Sequence, residues 1–142
     1  MAEILDGEVP PEGTLGGQLE AAIGRFGKEL DGLVDAELGD AVRRTAQLRS
    51  MLEAVEVEFV GRFDTSHEWS VDGYKHPTSW VKTECRVPRS AAGKRVGLSR
   101  ALRAMPHTAE AFAAGAIDIA HVDRLARCNS PARAEAFAIA EA

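Results

Sequence analysis

Six cations crowd one short stretch of the chain: Arg86, Arg89, Lys94, Arg95, Arg100 and Arg103. Guanidinium and ammonium groups at this density suit phosphate, because each neutralised phosphate releases condensed counterions from a nucleic acid. Over residues 75–103 there are 8 basic residues and 1 acidic one. The whole chain is nevertheless acidic, with a net charge of −5. Residues 1–74 carry 16 acidic and 6 basic side chains, and residues 75–142 carry 6 and 11. A basic half on an acidic chain excludes a general polyanion binder and leaves a local one, or one half docking on the other.

Other chemistry finds less support. Asp64, His67, Glu68 and His76 are metal-ligand types within one segment, but their spacing matches no metal rule and no metal is expected. Ser66, Ser79, Ser90, Cys85 and Cys128 lie in no nucleophile motif, and no glycine-rich phosphate loop follows a strand. His107 and His121 are isolated and read as surface or packing residues. The two cysteines form no Cys-x-x-Cys pair and suit a reducing compartment. The expectation is therefore a chain with no catalytic residue, no cofactor and no metal.

The elements that would position the cations are helices. Residues 1–14 read as a disordered leader, acidic and rich in Pro and Gly. Leu15, Leu19, Ile23, Phe26 and Leu30 then recur in steps of 4, 4, 3 and 4, a helical stripe that its glycines weaken, so that tertiary packing must hold it. Asp35 is placed to cap a long helix over Ala36–Phe63, with Glu37 in its first turn. Its stripe runs Leu38, Val42, Thr45, Leu48, Leu52, Val55, Phe59 and Phe63, with Met51, Val57 and Val60 widening the apolar face. Asp64–His76 has no helical period, and Trp69 and Tyr74 are expected to anchor it against the long helix.

His76 caps and Pro77 opens a short helix to Cys85, ended by Val87-Pro88. A further helix, started by Ser90 or by Pro88-Arg89 just before it, covers Ser90–Ala104 with Ala92, Val96, Leu98-Ser99 and Leu102 inward. Pro106 starts the next, Gly115 stops it, Asp118 caps another, and Ser130-Pro131 opens a last one. That run is still strongly helical at Ala142, so the expectation is either a frayed end or a natural protein that continues. The fold class is all-α: one domain over 15–142, six or seven helices, one long and central. No run approaches the ~18 apolar residues of a membrane span. The acidic start resembles no secretion signal, and a cytoplasmic location is expected.

Val81, Cys85, Val87 and Ala92 have the spacing of a helix-turn-helix core, whose second helix would enter a DNA groove. Two positions depart from that pattern. Lys82 stands where a small residue is usual, and Arg86 where the turn usually has glycine.

The run from Arg62 to Leu125 contains Asp64, Trp69, Asp72-Gly73, Trp80, Arg95, Ser99-Arg100-Ala101-Leu102, Met105-Pro106, Ala113-Ala114-Gly115 and Ala120-His121-Val122. In that order, over about Leu30–Leu125, it resembles the bacterial domain-of-unknown-function 222 (DUF222, 13E12 repeat) family. The resemblance implies a helical N-terminal domain of proteins that end in an HNH endonuclease module of mobile-element character. Such modules hold a divalent metal between His and Asn side chains on a ββα hairpin, a pattern missing here, so the resemblance extends to the helical domain alone. Two functions follow as expectations. One is a non-catalytic accessory domain that contacts duplex DNA through its basic face. The other is a helical interaction module that self-associates through the long helix.

Overall fold

The computed structural model describes residues 13–142, which among them form seven α-helices and no strand. The expected leader lies outside the described residues as far as residue 12; Thr14 already belongs to the first helix as its cap. The described residues gather into two compact units that divide between Arg43 and Arg44. Sequence reading places one domain over 15–142.

In the first unit, helix α1 spans Leu15–Lys28, and the Thr14 hydroxyl accepts the Gly17 N–H at 3.0 Å. Arg25 and Lys28 sit in its last turn, where cations offset the partial negative charge of free carbonyls. A 3₁₀ turn, Glu29–Gly32, leads to α2, Asp35–Ser66. The expected cap is corrected here. Asp35 lies inside the first turn, and the Glu37 carboxylate reaches back to accept the Val34 N–H at 3.0 Å, half of a capping box. The expected α1 stripe forms, yet no residue of α1 is buried and Leu15 is 83 % exposed.

The second unit holds the rest of α2, then α3 (Pro77–Glu84), α4 (Arg89–Ala101), α5 (Pro106–Ala113), α6 (Ile119–Cys128) and α7 (Ala134–Glu141). Two buried clusters join them. Val57, Leu98, Phe112 and Val122 link α2, α4, α5 and α6; Val60, Val81, Ala92 and Val96 link α2, α3 and α4. The face that α2 buries consists of Ser50, Val57, Val60, Gly61 and Asp64. This overturns the expected core stripe, since Leu52, Val55 and Phe59 are 46 %, 47 % and 61 % exposed. Periodicity locates a helix but not which side is covered. Here α4 approaches so closely that a Cβ built on Gly61 would lie 3.1 Å from the Ser99 Cβ, a separation that only small residues allow.

The stops behave as their residue types dictate. After α5, Gly115 takes φ +74°, and the Ala116 N–H returns to the Ala111 carbonyl at 3.0 Å. Asp118 Oδ1 accepts the His121 N–H at 2.9 Å and caps α6. Ser130 instead precedes a 3₁₀ turn, Pro131–Arg133, and gives no side-chain cap. Glu141 of α7 takes a capping role that sequence spacing could not reveal: its Oε1 accepts the N–H of Thr108 in the first turn of α5 at 2.6 Å.

Gly115 cannot be replaced cheaply. A Cβ there would lie 2.8 Å from both Gln47 Cγ and Met51 Cγ and 3.0 Å from the Gln47 carbonyl oxygen. Gly115→Ala should cost about 2–4 kcal/mol, combining left-handed strain with overpacking. A fall in the urea midpoint at unchanged slope is the expected reading.

Candidate nucleic-acid interface

The segment between α2 and α3 is tied down at both ends. Trp69 Nε1 donates to the Asp64 carbonyl at 3.1 Å, anchoring it on α2 as expected. Tyr74 differs, since its hydroxyl donates to Glu84 Oε1 on α3 at 2.8 Å. Trp80 donates from Nε1 to Asp72 Oδ2 at 2.9 Å, and its ring packs on Phe63 with centroids 4.4 Å apart. His76 holds the cap position of α3 without a side-chain cap bond, and Pro77 fills the first helical position.

The α3–α4 pair forms on this base. Val81, Cys85, Val87 and Ala92 come together as the helix-turn-helix spacing required, joined by Val60, Val96 and Trp80. At the turn Arg86 adopts φ +54°, and the Val87 N–H bonds back to the Lys82 carbonyl at 3.2 Å. The turn thus has the glycine-type backbone that the motif calls for, with arginine in it. A left-handed non-glycine residue costs about 1–2 kcal/mol.

The six cations divide sharply. Arg86 and Arg89 are exposed, and no carboxylate among the described residues pairs with either. Lys94 is also exposed, with Nζ 3.8 Å from Asp123 Oδ2. Arg95 turns inward, its side chain 18 % exposed, ion-paired with Glu56 and donating to the Ala91 carbonyl. Arg100 forms a two-pronged pair with Asp64, Nε to Oδ2 at 2.8 Å and Nη2 to Oδ1 at 3.0 Å. Arg103 Nη2 reaches the Gly61 carbonyl at 3.4 Å. Ion pairing therefore commits Arg95 and Arg100, while Arg86, Arg89 and Arg103 have no carboxylate partner among the described residues, and Arg86 and Arg89 sit together at the turn and the start of α4.

The neutralising carboxylates went unassigned in the sequence because they are distant along the chain: Asp64 lies 36 residues from Arg100, and Glu56 39 from Arg95. Asp64 is buried, and its hydrogen bonds from Arg100 hold it below the ordinary aspartate value of 3.8. The same contact raises Arg100. Asp64 is thus committed to Arg100, and among the described residues no three His, Cys, Asp or Glu side chains gather around a common point. A groove of about 360 Å³ also opens in this unit, lined by Val55, Leu102 and Phe112 together with Arg62 and Arg103.

A family model described as a domain of unknown function (DUF222) matches residues 39–142, from the first turns of α2 through α7. The chain belongs to the DUF222 family. No curated protein and no solved structure matches it. The match contains both buried clusters, the Asp64–Arg100 pair and the α3–α4 turn. It reaches beyond the Leu30–Leu125 span of the resemblance to include α7 and its cap on α5. Among the described residues of this DUF222 domain, no helix is long and apolar enough to cross a membrane.

Two consequences can be measured. Because Asp64 titrates below its unfolded value, its contribution is complete above about pH 4 and disappears as pH falls through the folded value. Asp64→Asn should lower the unfolding midpoint at pH 7, and its gap from wild type should shrink on acidification towards pH ~2. Arg86→Gly should act in the opposite direction. Relief of the left-handed strain, partly offset by a more flexible unfolded chain, should raise stability by about 0.5–1 kcal/mol, read as a higher thermal midpoint.

Proposed function

We propose that this DUF222 domain is a non-catalytic DNA-contacting module, the accessory part of an HNH-nuclease-type protein, that docks on duplex DNA through the α3–α4 turn. One observation carries the reading. Arg86 and Arg89 lie at the start of α4 with no ion pair among the described residues, on a packed helix-turn-helix frame, while Arg95 and Arg100 are bound to carboxylates.

In this reading Arg86 holds a phosphate beside the groove. Arg89, in the first turn of α4, reaches a phosphate or a base edge, since the start of a recognition helix is the part that approaches the bases. Lys94 gives up a 3.8 Å contact with Asp123 to add a further phosphate. Arg95 serves the frame and makes no DNA contact. The strain retained at Arg86 is consistent with a side chain kept for a partner, since left-handed non-glycine residues persist where surrounding structure over-determines them.

The number of phosphates is measurable. Three contacts give a slope of about −2.7 in log K against log salt, whereas six give about −5.4. Fluorescence anisotropy with labelled duplex from ~50 mM salt upward should return the shallow slope. Arg86→Glu with Arg89→Glu should abolish binding and leave helicity unchanged, as both side chains are exposed. Absence of binding by wild type at the lowest salt would remove the reading.

A further inference from the structure

The second unit leaves one apolar face of α2 uncovered. Leu48, Leu52, Val55 and Phe59 follow steps of 4, 3 and 4, and at about 100° per residue they centre on the side opposite Val57, Gly61 and Asp64. Leu48 is half-buried, while Leu52, Val55 and Phe59 are 46 %, 47 % and 61 % exposed. An alternation of 3 and 4 is the seam along which two helices pack. Three exposed large apolar side chains in one row beside half-buried Leu48 suit an interface.

The charges beside the seam select the occupant and its direction. A two-fold contact must complement itself. With two α2 helices antiparallel and Leu52 against Val55 of the second copy, Leu48 falls against Phe59, and both layers repeat across the axis. The same alignment brings Arg49, which has no partner among the described residues, beside Glu56 of the second copy. The Glu56 side chain is 41 % exposed, and its bond to Arg95 uses Oε1, leaving Oε2. A parallel alignment sets Arg44 beside Arg49 of the other helix. The neighbouring antiparallel register sets Arg49 against its own copy. Both alternatives oppose like charges.

We infer that a second copy of this chain occupies the Leu48–Phe59 face of α2 in an antiparallel, two-fold pairing bordered by Arg49–Glu56 ion pairs. The contact is small, so the dimer is weak and reversible. It stands independently of the DNA reading.

Sedimentation equilibrium over roughly 1–300 µM, with Cys128 kept reduced, should show the mass rising towards twice that of one chain. Phe59→Ser and Leu52→Glu should be monomeric throughout, with unchanged helicity and unfolding midpoint, because the altered side chains are exposed in the single chain. Arg49→Glu should weaken association about tenfold, while Arg44→Glu, which faces no charge in this register, should leave it unchanged. A wild type that stays monomeric, a dimer that survives Phe59→Ser, or any strengthening or weakening by Arg44→Glu would overturn the inference.

Discussion

The second unit depends on how closely α2 and α4 cross. Gly61 and Ser99 let the two helices approach until a Cβ on Gly61 would lie 3.1 Å from the Ser99 Cβ, and that approach puts Val57 and Val60 on one side against Leu98 and Val96 on the other. It also brings Asp64, three residues after Gly61, to Arg100, next to Ser99, so that a buried carboxylate gains two hydrogen bonds from one guanidinium. A buried carboxylate without that partner would be costly. Close packing and ion pairing thus support each other: the glycine permits the distance and the pair fixes the register of one helix on the other.

Which features were legible in advance follows from their range along the chain. The turns were readable because their chemistry is local. Pro88 and Pro106 open helices, Gly115 closes one in the left-handed region, and Asp118 caps another through the His121 N–H. The helix-turn-helix core was readable because Val81, Cys85, Val87 and Ala92 lie within one short segment. Long-range decisions were not. The strongest apolar stripe on α2 was taken for its core face, whereas the buried side is built from smaller residues chosen for a close crossing. Glu141 capping α5 from the far end of the chain left no trace in spacing.

The cationic stretch was read correctly as composition and incompletely as a surface. Eight bases against one acid suggest a ridge only if each side chain points outward. Folding instead brings acids of the acidic half to the basic half: Glu56 to Arg95 and Asp64 to Arg100, while Asp123 sits between Lys94 and Arg127. Part of the charge asymmetry along the chain is therefore the attraction that joins α2 to α4. Among the bases without a carboxylate partner in the described residues, Arg86 and Arg89 lie together at the α3–α4 turn.

In the proposed reading, two or three phosphate contacts would constitute a weak hold on DNA, and weakness would suit an accessory module. Joined to a second DNA-engaging element, each contact acts at an effective concentration set by the connection, and modest affinities multiply into avidity without new contacts. In the proposed reading, a strained Arg86 with Arg89 beside it, neither paired with a carboxylate among the described residues, on a frame where Arg95 and Arg100 are ion-paired, is the charge distribution such a division of labour would use.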